Sequence, residues 1–586
     1  MTTSSPVGAL PKQAWWALGL ALLLGLPSLW VGLQLDDYFH WGLVNDRSDV
    51  LRTHSPASLF GLFSFLDGDL DRVRQLMDMG LVPWWTNPHV EYAFWRPLTE
   101  ITHSIDYGFW PQIPELMHAH SLLYFGLMLW LGFRLFRVLQ GDSAAWLWAV
   151  FIFALSYSHG VPAGWLANRN SVLAVLFMTL ALLAHHQWRR DSNGSAAVRA
   201  NVFFALALLC GEVAVSTGAY LFSYALLYER GEMKRRAVSL LPYIVIGIAW
   251  LLVRAGMGYG ASGSGHYLDP LQTPGLFLQA LASRGLDLMG GLFWVIPPEL
   301  GSALPSGRWW VFLLLTMLLM AVAWPVLKHD RRARFWLLGA LLCLVPVAST
   351  VPHSRLLIAA SLGAAGFLGL VFAAWRRGEL AQGRLAKTAV SCLLGVLVFL
   401  QLGLSALLLP VEMVSMRLAG DSLVNQGARN WDLASIPAGA TPILINPPLS
   451  SAGGYINGVR DYEGLPVTNN TWLLASGTRE LQLRTLDEYS FDIQSSQGLY
   501  DASQEGVLRG PQAPFEVGER IALSGMTVTI MMVDGGVPTL AHFQFDQPLA
   551  SGAYYFSHWN SGNVAQCQLP AIGQSIQLKL TSKQCQ

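Results

Sequence analysis

The stretch from Trp15 to Leu33, without one charged residue, constrains this chain more than any other feature. A bilayer core is crossed by about 20 apolar residues in a helix. No small-residue cleavage site follows the run, so it reads as a retained membrane anchor. Comparable runs cover 116–139, 143–159, 171–188, 237–254, 309–327, 335–350, 356–375 and 388–410, while 201–228 is too long for one crossing and reads as two short helices. The expectation is a polytopic α-helical protein with about eleven crossings. Hydrophobic residues at 53% against 13% charged exclude a string of soluble domains, and a formal net charge of zero offers no case for a nucleic-acid partner.

Charge in the loops orients the helices, because Lys and Arg in short loops stay in the cytoplasm. Arg134 with Arg137, Arg189 with Arg190, and four basic residues in each of 229–236, 328–334 and 376–387 fall on one side if 201–228 goes out and returns. The N-terminus is then cytoplasmic and the C-terminus outside. The opposite face receives the loop 34–115, which carries twelve Asp or Glu, five Arg and no Lys. A loop of that length normally has its own elements and a function, and Asp69–Met79 and Leu98–Trp110 read as short surface helices.

Composition changes after Pro410. Short apolar runs at Pro442–Asn446, Glu480–Arg484, Met526–Val533 and Ala541–Phe545, separated by Gly, Pro, Asn and Asp, predict strands. The expected organisation is a membrane domain over 1–410, a linker over 411–434 and a mainly β, extracytoplasmic domain over 435–586. Cys210, Cys343 and Cys392 fall inside predicted helices as small hydrophobes. Cys567 and Cys585 both fall in the outer domain, where an oxidising compartment would let them close a loop; two free thiols are the alternative.

Immediately past the first helix stands Leu35-Asp36-Asp37-Tyr38-Phe39-His40. Two adjacent carboxylates at a low-dielectric edge repel, so one holds a raised pKa or binds a cation or hydroxyl, which suits a general base. The bland reading is that acids mark the outer end of a helix. The same loop closes with Phe94-Trp95-Arg96-Pro97-Leu98-Thr99-Glu100-Ile101-Thr102-His103-Ser104-Ile105-Asp106-Tyr107, followed by Pro114 and His118. Further on come Gly164-Trp165-Leu166-Ala167-Asn168-Arg169-Asn170-Ser171, then Gly211-Glu212, then Ser354-Arg355-Leu356-Leu357.

This order of motifs, over about residues 15–375, resembles the GT-C superfamily of polyprenyl-phosphate-sugar glycosyltransferases. Within it the chain is most similar to the TMTC-type protein O-mannosyltransferases and their bacterial relatives. It departs from that pattern at Gly211, where the family has Lys, at Leu356 and Leu357, which replace tyrosines, and in lacking tetratricopeptide repeats after the membrane part. The resemblance implies an inverting transfer in a bacterial inner membrane, from a polyprenyl-phosphate-linked sugar to a protein or glycan acceptor on the periplasmic face. It gives Asp36 or Asp37 the role of catalytic base, with a divalent cation, Mg2+ or Mn2+, as an option on the same pair.

A lipid phosphate leaving group needs cationic donors near the outer leaflet. Arg96, Arg169 and Arg355 are the candidates, each expected at an outer helix boundary; snorkelling or pairing with an acid is the alternative for each. His103, Asp106, His118, Glu212 and His353 are candidates for positioning substrate, with His120 nearby. The histidines lack the spacing of a zinc site. Glu212 serves equally well as a structural partner for an Arg.

The Gly260–Tyr267 run reads as a flexible outer segment without the Lys of a phosphate-binding loop. Trp84, Trp85 and Trp95 either stack on a sugar or join the interfacial aromatic belt, and Asn469-Asn470-Thr471 matches a glycosylation sequon. Two other classes compete with an enzyme. A transporter or lipid flippase calls for internal repeats and mid-membrane charges, and neither is present. A non-catalytic assembly protein on a decayed scaffold draws support from Gly211, against which stand Asp36, Asp37 and Arg96 together.

Overall fold

The computed structural model describes residues 10–45, 61–141, 143–270, 272–468, 470–502 and 506–578. Seven described helices are long and apolar enough to cross a membrane: Lys12–Trp30, Pro114–Gln140, Leu166–Asp191, Met233–Gly256, Arg308–His329, Ser354–Arg376 and Arg384–Ser435. Ala144–Ala154 and Tyr157–Gly164, bent by 46°, make an eighth when taken as one span. The remaining expected crossings fall on shorter helical segments, Gly194–Cys210, 212–228 and Arg331–Val347. The chain is a multi-pass helical membrane protein with a C-terminal β region.

Small residues organise the bundle. Apolar side chains gain little by leaving lipid for one another, so close packing decides which helices pair. Ile358–Arg376 is buried along almost its whole length. A Cβ at Gly363 would lie 2.6 Å from the Trp336 carbonyl oxygen, one at Gly366 2.5 Å from the Trp336 ring, and one at Gly369 2.4 Å from the Ala145 carbonyl oxygen. The glycines thus seat the neighbouring helices Arg331–Val347 and Ala144–Ala154 directly on its backbone. Met233–Gly256 and Arg308–His329 instead turn Ile244, Val245, Leu252, Trp310 and Leu314 outward, as lipid-facing helices do.

Two expectations change here. Pro274–Trp294 is a helix that hydropathy passed over, since Arg284 and Asp287 interrupt it. Both are satisfied: Asp287 pairs with Arg308 at 2.9 Å, and Arg284 donates to the Ala348 carbonyl at 3.1 Å. Residues 411–434, expected as a linker, continue the preceding helix as far as Asn430, with π-helical turns at Phe399–Leu404 and Asp421–Asn425 on either side of Pro410. The helix thus runs through Pro410 rather than ending there.

Among the described residues the β region has two sheets. One has six antiparallel strands in the order Ser575–Leu578, Leu481–Thr485, Ser490–Gln494, Val537–Phe545, Met526–Asp534 and Arg520–Leu523. In the other, Thr441–Ile445 lies between Tyr554–Asn560 and Trp472–Leu473 and runs parallel to both. Parallel neighbours need a crossover, which the helix Ala452–Tyr462 supplies between Thr441–Ile445 and Trp472–Leu473.

The first loop and this β region share one core. Trp84 and Trp85 are fully enclosed there: Trp85 stacks on Tyr500 at 5.5 Å, and Trp84 meets Phe515 and Phe543. They are therefore neither sugar platforms nor belt residues. The Gly260–Tyr267 run is strapped rather than flexible, because Glu91 and Ala93 donate to Ser262 and Gly260, while Gly265 and Gly510 exchange backbone bonds with Gly506 and Gly263. Cys567 is in a disulfide, whereas Cys585 and the sequon's Asn469 lie outside the described residues. Cys210, Cys343 and Cys392 are free.

Candidate active site

The turn after the first membrane helix separates the two acids. Leu35 adopts a left-handed backbone, φ +48°, which is costly for a residue with a Cβ and persists only where surroundings enforce it. Here they do. The Gln34 carbonyl accepts from Trp165 Nε1 at 3.1 Å, and its side-chain oxygen accepts from Asn425 at 2.9 Å. Asp37 completes the clasp: one carboxylate oxygen accepts from the Gln34 amide at 2.9 Å, the other from the Ala167 amide at 2.8 Å. Asp37 is wholly buried and both its oxygens are used by the protein.

Asp36 is differently placed. It is partly open to solvent, and Tyr455 Oη donates to its Oδ1 at 2.5 Å. Burial holds its pKa above the ordinary carboxylate value, while the Tyr455 hydroxyl, Arg355 and Arg96 draw it back down. Tyr455 arrives from the β region because Ala452–Tyr462 has a glycine face. A Cβ at Gly454 would stand 3.0 Å from the Phe39 ring, one at Gly458 3.0 Å from Tyr38, and one at Gly453 2.3 Å from the Gly80 carbonyl oxygen. Only glycine lets this helix lie so close to Asp36–Asn45 and Gly80.

From Tyr455 an aromatic wall runs away through Phe39 at 5.0 Å, Phe65, Tyr92 and then Phe94 and Tyr267. Arg96 lies over Phe94 and Phe63, 4.5 and 4.8 Å from their ring centres, and pairs with Glu212 at 3.0 Å. A Cβ at Gly211 would meet the Asn170 side-chain amide at 2.8 Å. The cation beside Glu212 is Arg96.

The three predicted arginines have different environments. Arg355 has its Nε buried without a hydrogen-bond partner and packs over Trp165 at 5.7 Å. Arg96 is half committed, to Glu212. Arg169 is enclosed: it binds Asp106 at 2.5 Å, Ser121 Oγ at 2.9 Å and the Met117 carbonyl at 2.8 Å. It braces the loop helix Pro97–Phe109 against the membrane helices and faces no open space.

The positioning candidates divide likewise. Asp106 is engaged by the Arg169 ion pair and by His120 at 2.8 Å. His118 is tied to the Gly32 carbonyl at 3.0 Å. His103 is buried between Tyr107 and His40 with neither ring nitrogen partnered, and burial pushes its pKa well below the usual histidine value. His353 accepts from the Arg355 amide at 3.3 Å, while Ser354 N is held by Glu299 at 2.8 Å.

The donor set does not fit a divalent cation. Asp37 has spent both oxygens on amides, Asp36 faces two guanidinium groups, and among the described residues no three His, Cys, Asp or Glu converge. The sequence did not point to Tyr455, Tyr92 or Tyr267. Tyr455 meets Asp36 across 419 positions, and no local spacing signals such a contact.

No protein-family pattern matches this chain, and no curated protein sequence does. Among solved structures it is similar to ArnT from Cupriavidus metallidurans bound to undecaprenyl phosphate, with a TM-score of 0.38 and 12% identity over 78% of this chain and 86% of that one. It is also similar to the Archaeoglobus fulgidus oligosaccharyltransferase in its apo form, with a TM-score of 0.41 and 13% identity over 78% and 64% of the two chains. For AglB of the same organism, in complex with an inhibitory peptide and a dolichol-phosphate, the TM-score is 0.40 and the identity 13%, over 76% and 64%. The chain spans somewhat less than two thirds of the oligosaccharyltransferase.

Proposed function

We propose that this protein is a GT-C-type glycosyltransferase that moves a sugar from a polyprenyl-phosphate donor to an acceptor hydroxyl, with Asp36 as general base. The observation that carries the reading is a partly open carboxylate, Asp36, within the electrostatic reach of a guanidinium, Arg355, that has no acid partner among the described residues, at the head of the membrane bundle. The motif order from Asp36 to Arg355 supports it independently.

In the proposed reaction the Asp36 carboxylate takes the acceptor O–H proton as that oxygen bonds to the sugar C1. The bond from C1 to the phosphate oxygen breaks on the opposite face, and configuration inverts. The polyprenyl phosphate leaves as an anion, received by Arg355 and by the face of Arg96 turned from Glu212. Asp36 later gives its proton to water. Tyr455 fixes the carboxylate and keeps it ionised, and the aromatic wall provides stacking surfaces for the sugar and acceptor. Asp37 holds the turn. The basic loops at the opposite end of the bundle support a periplasmic site, with the N-terminus in the cytoplasm.

The test is Asp36→Asn in the full chain, read by mass spectrometry of cell-envelope glycans and glycoproteins beside a strain lacking the gene. The variant should accumulate in the membrane normally and reproduce the glycan profile of the deletion. A wild-type profile from Asp36→Asn would remove Asp36 from the chemistry.

A further inference from the structure

A cavity unrelated to Asp36 opens at the other end of the bundle. It encloses about 1000 Å³. The two sites lie at opposite ends of the same helix: Arg355 precedes Ile358–Arg376 and Arg377 follows it, which at 1.5 Å per residue separates them by about 30 Å.

Seven arginines line this cavity against three acids, Glu229, Asp330 and Glu379. Each acid is already engaged. Glu229 binds Arg189 at 2.6 Å, Asp330 binds Arg332 at 2.8 Å, and Glu379 binds Arg377 at 2.6 Å. Arg190 turns to Asp191. Arg230, Arg331 and Arg334 are left with no carboxylate partner among the described residues, and Arg334 Nε is buried without any hydrogen-bond partner. A smaller pocket lined by Glu229, Arg230, Arg236 and Arg331 adjoins it.

Loop arginines that serve topology alone need only reach water. These instead surround a hollow, and three like charges around one cavity repel unless an anion joins them. The walls are not uniformly polar: Leu370, Ala373, Ala374 and Val326 stand beside the guanidinium groups. A cationic rim with an apolar wall, set between helix ends, matches a phosphate group carried on an apolar tail.

We infer that this cavity is a phosphate-binding site, formed by Arg230, Arg331 and Arg334, for the headgroup of an anionic lipid in the leaflet opposite the Asp36 site. A soluble phosphate shares the recognition chemistry, and the experiment separates the two sources. The purified full chain in a neutral detergent is titrated with phosphatidylglycerol, phosphatidylcholine or sodium pyrophosphate. Melting by tryptophan fluorescence and retention of lipid in native mass spectrometry are followed.

Phosphatidylglycerol should raise the melting temperature and stay bound, whereas phosphatidylcholine should do neither. Combining Arg230→Gln, Arg331→Gln and Arg334→Gln should weaken the apparent affinity about a hundredfold. Lysine at the same three positions should retain most of the binding, which guards against a folding defect in the glutamine variant. Arg235→Gln, an exposed neighbour outside the cavity, should change nothing. Equal responses to the two lipids, or an undiminished response in the glutamine variant, would overturn the proposal. A response to pyrophosphate alone would keep the phosphate site and remove the lipid from it.

Discussion

Tyr455→Phe tests the base assignment more sharply than removing the base. The substitution deletes one hydroxyl and leaves the ring against Phe39 at 5.0 Å, so packing is retained. What is lost is the 2.5 Å hydrogen bond to Asp36. A hydrogen bond to an ionised partner contributes about 1.5–3 kcal/mol. Its loss therefore raises the Asp36 pKa further. The sign follows from the surroundings: burial already holds this pKa above the usual value, Tyr455 opposes burial, and removing Tyr455 lets burial prevail. Only the ionised form accepts a proton, so the acid limb of the transfer rate against pH should move upward. On that limb the rate should fall about 10- to 100-fold, while at high pH it should approach wild type. The assay is transfer by the full chain in proteoliposomes, across a pH series, with the melting temperature as a control on folding. An unmoved acid limb, a downward shift, or an equal rate loss at every pH would refute the reasoning.

Arg355→Gln should lower transfer roughly 10- to 100-fold by weakening donor binding, with no loss of melting temperature, because its side chain has no protein acceptor to abandon. Arg169→Met should do the reverse. It leaves the buried Asp106 with His120 alone, costing up to about 3–5 kcal/mol, and should appear as low yield and a depressed melting temperature. Glu100→Gln gives a pH-dependent test of stability. Burial pushes the Glu100 pKa from 4.5 up to about 8. The folded state therefore keeps a proton that the unfolded chain releases, and stability present below pH 4.5 is lost as pH rises through 8. Glutamine imitates the protonated form. The variant should melt like wild type near pH 4.5 and be more stable by up to about 5 kcal/mol above pH 8, as thermal melts at the two pH values would show.

The membrane helices were legible because a bilayer imposes a minimum apolar length, which local sequence displays directly. Pro274–Trp294 escaped that test because its Arg284 and Asp287 look prohibitive until their partners, Ala348 and Arg308, are known. Pro410 misled for a similar reason: the helix runs through it, which no residue type announces. At the site, residue type and order brought Asp36, Arg96 and Arg355 into view, yet could not rank them. Asp37 and Arg169 have the same chemistry as Asp36 and Arg355 and differ only in what already holds them. Tyr455 lay beyond reach, since the glycines that bring it to Asp36 look like loop residues in a single sequence.

Trp84 donates to the Leu474 carbonyl across 390 positions, in the core that the first loop shares with the β region. That bond joins an early part of the nascent chain to a late one. At about 5–20 residues per second, the ribosome reaches Leu474 roughly 20–80 seconds after Trp84. During that interval Trp84 and Trp85 are without the core that covers them, and the turn bearing Asp36 lacks Tyr455. Maturation of this protein is thus timed by its late-made β region, and a chaperone would meet its clearest target in the first loop.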